Sequence, residues 1–256
     1  MLIRLSRRRV LVMAGGAIGA TLLSGCGKDD GAGALAVGST ATGVPFTFLD
    51  VKSNKLVGAM VDIAQAVTQD AGLKIRIETT AFSALVPSLT ARKIDIIAAA
   101  ILRTPEREQV VAFTNPVYTY GGTVLLPAND TRSCPSLKEL ANLTVGAQVG
   151  TRFVDQLAEA GVTSVKTYDS IADIMRDLGN ERIQAGYGDQ PIIAYQLRTN
   201  SDTKLRIAAD FVPPSREEVC LVTRKEDAEL IEKLNASIAR LKMTEIQNIL
   251  SRWSLA

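Results

Sequence analysis

Three places in the chain carry residue types at spacings that could hold a small charged ligand. Arg107 closes the run Thr104-Pro105-Glu106-Arg107, which reads as a helix start with Thr104 at the N-cap and Pro105 at the first helical position. A guanidinium can grip a carboxylate through two parallel hydrogen bonds, which lysine cannot reproduce. Position alone favours an arginine paired with Glu106 or solvated. Gly150-Thr151 falls between a strand pattern and a helix pattern, where backbone N–H groups and the helix dipole favour an anion. It equally fits an ordinary strand-to-helix turn. Asp189 ends a strand pattern just before Pro191, a position suited to an N-cap.

The absences narrow the chemistry further. The sequence contains no histidine, which excludes Ser-His-Asp and Cys-His catalysis, HExxH zinc sites and most transition-metal sites. No glycine-rich phosphate loop is present, so neither a cofactor nor a metal is expected. Hydrophobic content of 46% is enough for a packed core.

The first 26 residues read as an address. Arg7-Arg8-Arg9 precede an uncharged run of 14 residues, 10–23, which ends in Leu23-Ser24-Gly25-Cys26. A basic head, a short apolar middle and a small-residue cleavage site make a secretory signal peptide. The run is shorter than the roughly 20 residues a spanning helix needs. The Leu-Ser-Gly-Cys ending resembles a bacterial lipobox, so Cys26 is expected to be lipidated, by palmitate among other chains, as the first mature residue. Ser6-Arg7-Arg8-Arg9-Val10-Leu11 resembles a twin-arginine export signal. Residues 27–34 (GKDDGAGA) read as a flexible tether. The expected location is outside the cytoplasm, anchored to a bacterial membrane.

Removing the four leader arginines from the 29 basic residues leaves 25 against 27 acidic ones, a net charge of −2. No Lys/Arg-rich run occurs in the body, so nucleic acid is not an expected partner. Cys134 and Cys220 remain after lipidation. In an oxidising compartment they are expected to pair as a disulfide, with two separate buried thiols as the alternative.

The elements that must position these residues alternate. Strands are expected over 35–38, 44–48, 74–78, 94–100, 121–127, 144–147, 164–168, 184–188 and 219–223. Between them fall helix patterns around Met60 to Val67, over 83–91, from Pro105, over 152–159, from Ile171 to Leu178 and from Pro191, with a long final helix from Leu230 to Leu241. Ser136 and Glu139 can form a capping box. The order strand, helix, strand, helix, strand occurs twice, which predicts two α/β units with a mainly parallel sheet in each.

Several segments, in order along residues 35–253, resemble the bacterial extracellular solute-binding proteins of family 3, the polar-amino-acid receptors of ABC importers. They are Val44-Pro45-Phe46-Thr47-Phe48, Leu56-Val57-Gly58-Ala59-Met60-Val61-Asp62-Ile63-Ala64 and Phe82-Ser83-Ala84-Leu85-Val86-Pro87-Ser88-Leu89. Lys93-Ile94-Asp95-Ile96-Ile97, Thr104-Pro105-Glu106-Arg107, Phe113-Thr114-Asn115-Pro116-Val117-Tyr118, Gly150-Thr151 and Asp189-Gln190-Pro191 complete the set. The resemblance implies a two-lobed, type II periplasmic-binding-protein-like α/β fold with a ligand cleft between two mainly parallel sheets. Residues 35–123 and 220–256 would form lobe 1 and 128–216 lobe 2, with crossings at 124–127 and 217–219.

The resemblance also implies roles. A free α-amino acid presents a carboxylate and an ammonium on one carbon. Arg107 would grip the carboxylate, with Gly150, the Thr151 hydroxyl and the Thr151 or Arg152 N–H completing the clamp from lobe 2. Asp189 and the Ala100 carbonyl would take the ammonium. Leu102 matches a carboxylate-binding position that often carries a hydroxyl, which leucine lacks. Phe82, Thr40, Gly43 and Gln148 would surround the side chain, and the neutrality of Thr40 argues for a polar or neutral ligand over a cationic one. Arg103 could face an acidic side chain or be solvated; Asp62 and Asp95 read as structural. The implied protein is a monomer without enzymatic activity that passes its ligand to an ABC permease in the membrane. A cyclohexadienyl-dehydratase-like enzyme and a ligand-sensing lipoprotein are the alternatives.

Overall fold

In chain order the first elements are β1 (Leu35–Ser39), β2 (Thr42–Gly43), β3 (Thr47–Asp50), β4 (Lys55–Val57), α1 (Ala59–Asp70) and β5 (Ile75–Thr79). A 3-10 turn, Phe82–Ala84, runs into α2 (Leu85–Thr90), followed by β6 (Ile96–Ile97), α3 (Pro105–Glu108) and β7 (Ala112–Phe113). The long strand β8 (Tyr118–Pro127) and a second 3-10 turn, Leu137–Leu140, lead to β9 (Thr144–Gln148), α4 (Arg152–Glu159), β10 (Ser164–Tyr168) and α5 (Ile171–Gly179). Then come β11 (Ala185–Asp189), α6 (Gln190–Thr199), β12 (Leu205–Ile207), β13 (Arg216–Val219), β14 (Val222–Thr223), α7 (Ala228–Leu241) and α8 (Glu245–Arg252). This computed structural model describes residues 33–200 and 204–255. The leader, Cys26 and residues 27–32 of the tether lie outside the described residues.

The first sheet has the order β5-β1-β6-β14-β7 and the second β10-β9-β11-β8-β12, with β13 paired to β8. β5, β1 and β6 run parallel, as do β10, β9 and β11; the strands added to each are antiparallel. The sheets are therefore mixed rather than mainly parallel. The strands of each parallel run follow one another through helices, as parallel crossovers require. A separate three-stranded sheet has the order β2-β3-β4.

Alternation divides the first sheet's side chains between two faces. Val37 and Ile96 join the cluster holding Met60, Ile63 and Val67 of α1, whereas Ala36 and Ile97 join Leu85 and Leu89 of α2. α1 starts after Gly58, whose φ is +128° and whose missing Cβ would lie 2.4 Å from the Phe46 carbonyl oxygen. In the second sheet Phe153, Leu157, Ile174, Leu178, Ala185 and Tyr187 are buried together. Ser136 and Glu139 form the expected capping box.

The run 94–100 pairs only at Ile96–Ile97. Beyond that the Ala98 N–H still bonds the Gly38 carbonyl, the Ala98 carbonyl accepts the Ser39 hydroxyl at 2.7 Å, and the Ala100 carbonyl oxygen lies 3.2 Å from the Tyr120 hydroxyl oxygen. Val124 and Leu125 pair with Tyr187 and Gly186 inside the second sheet, and residues 118–121 pair with β13. One expectation is corrected. Cys134 and Cys220 are free thiols, buried in different apolar clusters. Cys134 precedes the second 3-10 turn and Cys220 lies between β13 and β14, so pairing by cysteine count fails because the fold separates the elements that carry them. Among the described residues no helix is long and apolar enough to cross a membrane, and no group of acids and cysteines could hold a metal.

Candidate functional site

α3 is a single turn held at its start by Thr104, whose hydroxyl accepts the Arg107 N–H at 3.3 Å, with Pro105 following the cap. This fixes where the Arg107 side chain leaves the backbone. Its guanidinium donates from Nη1 to the Leu102 carbonyl at 2.5 Å and from Nη2 to the Gly150 carbonyl at 2.9 Å. It also lies 5.9 Å from the centre of the Phe82 ring. The guanidinium does not pair with Glu106, and among the described residues no carboxylate lies within ion-pair distance of it. Burial lowers the Arg107 pKa somewhat, and the group stays a cation. The result is a half-buried positive charge bonded only to neutral carbonyls.

Gly150 supplies the approach. Its φ is +74°, and a Cβ there would sit 3.1 Å from both Cα and Cβ of Ser83. The Thr151 hydroxyl donates to the Gln148 carbonyl at 2.7 Å. Thr151 caps α4 by position without a side-chain cap bond, so the Arg152 N–H stands at a helix start that has no intrahelical acceptor. The Arg152 side chain turns away, to Glu159 at 2.6 and 3.1 Å and to within 3.7 Å of Glu217. Arg103 is also engaged elsewhere, with Glu218 at 2.5 Å and the Thr114 carbonyl at 2.7 Å.

Asp189 ends β11 and is 5% exposed. It precedes α6 but makes no side-chain cap bond. Its carboxylate instead accepts the Tyr120 hydroxyl, whose oxygen lies 3.2 Å from the Ala100 carbonyl oxygen. Burial raises the Asp189 pKa to about 6, although the Tyr120 hydrogen bond and the Arg107 charge oppose that rise. Burial and the neighbouring carboxylate push the Tyr120 phenol well up, so it remains protonated.

A cavity of about 360 Å³ adjoins Phe82, with Thr40, Thr42, Thr80, Val149 and Asp169 on its walls. The Thr40 and Thr47 hydroxyls bond each other at 2.6 Å. The Gln148 amide donates to the Asp169 carbonyl at 2.9 Å, which ties one end of β9 to the turn after β10. A surface groove of about 410 Å³ beside Arg224 and Glu229 includes none of these residues.

The structure thus brings Arg107, Leu102, Gly150 and Phe82 together, and Ala100 with Asp189. Thr40 and Phe82 share the adjoining cavity. Asp62 and Asp95 are structural: the former accepts the Trp253 indole N–H at 2.8 Å, the latter the Ala36 N–H at 2.9 Å and Arg224 at 3.0 Å. Sequence reasoning missed Tyr120 and Asp169. Tyr118 and Tyr120 alternate on one strand face, and a buried tyrosine needs a partner for its hydroxyl, which was the available signal.

Comparison with known proteins identifies the family and the fold. Residues 35–256 match the profile of the bacterial extracellular solute-binding proteins, family 3. The chain is 30% identical over 224 residues to the ABC transporter arginine-binding protein 1 of Escherichia coli K12, covering 84% of this chain and 88% of that protein. A mutant of ArgBP from T. maritima superimposes with a TM-score of 0.80 at 28% identity, over 88% of this chain and 96% of the other. An ancestral arginine-binding protein bound to glutamine gives a TM-score of 0.80 at 27% identity, over 88% and 99% of the two chains.

Proposed function

This chain belongs to the bacterial extracellular solute-binding proteins of family 3, and on that premise we propose that Arg107 and Asp189 are the two poles of a clamp for one free α-amino acid. As a member of the family it is an extracytoplasmic amino-acid-binding protein of an ABC transporter and not an enzyme. The observation that carries the clamp is a convergence. Arg107 bonds the carbonyl of Leu102, and Asp189 is linked through Tyr120 to the carbonyl of Ala100. Two residues of chain span at most about 7 Å, so a fixed cation and a fixed anion face one short segment. A zwitterion matches that spacing; a simple anion or cation uses only half of it.

In this reading the ligand carboxylate replaces the carbonyls as the partner of Arg107 and takes the Thr151 or Arg152 N–H from the other lobe. The ammonium lies between Asp189 and Ala100. The side chain packs on Phe82 and enters the cavity of Thr40, near Gln148. Because the lobes each supply part of the clamp, the ligand binds the closed form more tightly and shifts the population toward it.

The cavity's threonines suit a polar side chain. A second reading, a cationic side chain, is favoured by Asp169, an acid among the residues that line the same cavity. The relative from E. coli is named for arginine, and the ancestral protein is described as bound to glutamine. Lipidation at Cys26 would hold a monomeric receptor by its tether beside the permease. A Cys26→Ala variant should then leave the membrane fraction.

The test is a thermal-shift panel of the amino acids on protein lacking residues 1–26. A ligand at 100 times its Kd adds about 2.7 kcal/mol of stability. No shift with any amino acid would sink the proposal. In Arg107→Lys the shift should vanish; a retained shift would remove Arg107 from the clamp.

A further inference from the structure

Tyr120 meets the proposed ammonium site with more than a structural hydroxyl. Its ring is 2% exposed and fixed by neighbours: the Phe46 ring stacks at 5.7 Å and the Tyr118 ring lies 6.1 Å away. The hydroxyl oxygen therefore has a set position. It touches two oxygens, the Asp189 carboxylate and, at 3.2 Å, the Ala100 carbonyl. These belong to elements on opposite sides of the cleft, β11 and the segment after β6.

The proton count of this trio is informative. A phenol has one O–H donor and two lone pairs, whereas a carbonyl and an ionised carboxylate only accept. Three oxygens thus share one proton. The charge-assisted bond to Asp189 is the stronger claim on it, and the phenol oxygen then faces the Ala100 oxygen with a lone pair. A primary ammonium carries three N–H donors in a tripod. One can go to Asp189, one to Ala100 and one to the free lone pair of Tyr120, while the phenol proton stays on its bond to Asp189. No proton needs to move.

We propose that the Tyr120 hydroxyl oxygen is the third acceptor of the ligand ammonium, so that the site selects primary α-amines over N-alkylated ones. This rests on the amino-acid reading above. Arg107 and Asp189 distinguish a zwitterion from other ions. Tyr120 would distinguish three N–H donors from two, because an Nα-methyl group leaves one of the three oxygens without its donor and crowds it.

The test uses calorimetry on wild type and Tyr120→Phe, with L-arginine, L-glutamine and any other amino acid that shifts the panel, each beside its Nα-methyl derivative. Wild type should bind the methylated compound at least about tenfold more weakly. In Tyr120→Phe the parent should lose about tenfold, and the ratio between parent and methylated ligand should fall to within about twofold. A ratio unchanged in the variant overturns the role of Tyr120, whatever happens to absolute affinity, because a merely structural loss weakens both ligands alike. If Tyr120→Phe does not fold, wild type still decides against the proposal should it bind parent and methylated ligands equally. Absence of binding by wild type to any amino acid would instead reject the receptor reading itself.

Discussion

Arg107 and Gly150 are joined across the cleft: the guanidinium Nη2 donates to the Gly150 carbonyl at 2.9 Å, in a turn whose φ of +74° only glycine adopts without strain. The same glycine lies against Ser83, so α3, the 3-10 turn before α2 and the start of α4 meet at one point. A methyl group at position 150 would be 3.1 Å from two Ser83 atoms, one of them backbone. Gly150→Ala should therefore oppose closure. Strain of this kind costs about 1–2 kcal/mol, which predicts roughly tenfold weaker ligand binding with unchanged secondary structure. Calorimetry and circular dichroism would check it; an unchanged Kd would show that closure does not need this contact.

Asp189 makes binding depend on pH. Its pKa in the ligand-free fold is about 6 against an ordinary 3.8, because it is buried. A raised carboxyl pKa means that the folded protein holds this proton more tightly than the unfolded chain. The associated stability is present at low pH and is lost as pH rises through about 6. An ammonium needs the ionised form, so binding must expel the proton below that pH. Affinity should fall by about tenfold per unit below pH 6, making the ligand-induced thermal shift smaller at pH 5 than at pH 7. Titrations in buffers of different ionisation heat would register the released proton. An affinity flat from pH 5 to 7 would mean that Asp189 does not face the ammonium.

The two thiols give a separate check on the fold. Burial pushes Cys134 up to about 11 and Cys220 up to about 12. At pH 8 only about one Cys134 thiol in a thousand is a thiolate, and fewer of Cys220. Protein lacking residues 1–26 should react slowly with iodoacetamide while folded. After unfolding without reductant it should take up two adducts. No adducts, with a mass lower by two hydrogens, would restore the disulfide.

Much of this architecture is written locally. The Thr104 cap, the Ser136–Glu139 box and the helix Arg152–Glu159 follow from side chains within one turn of each other, and all stand where local patterning puts them. What local pattern does not carry is which oxygens are left over. The run Ile94–Ala100 is apolar but for Asp95, yet only Ile96–Ile97 form a strand, and the carbonyls of Ala100 and Leu102 beyond them face Tyr120 and Arg107. The antiparallel strand β13 hides in a charged stretch, Arg216–Val219, with no alternation of apolar residues. Tyr120 and Asp189 are 69 residues apart and meet only because β8 and β11 are neighbours in the second sheet. The neutral Thr40 supplies one part of the cavity lining, whereas the acid in that lining, Asp169, comes from the turn after β10.

Asp169 therefore sets the last prediction, which concerns the ligand's side chain. Asp169 is exposed and lines the cavity, and its backbone carbonyl is held by the Gln148 amide at 2.9 Å. The backbone is thus fixed while the acid remains free to meet a ligand. An ion pair in such a partly solvated place contributes on the order of 1 kcal/mol, or about fivefold in affinity. If the side chain is cationic, Asp169→Asn should weaken L-arginine by about that factor and leave L-glutamine within twofold. Raising salt should shrink the effect in wild type. Because Asn keeps the size and the backbone contact, a loss for both ligands alike would point to damaged packing of the cavity. A loss for neither would return the ligand to the polar class that the threonine walls favour.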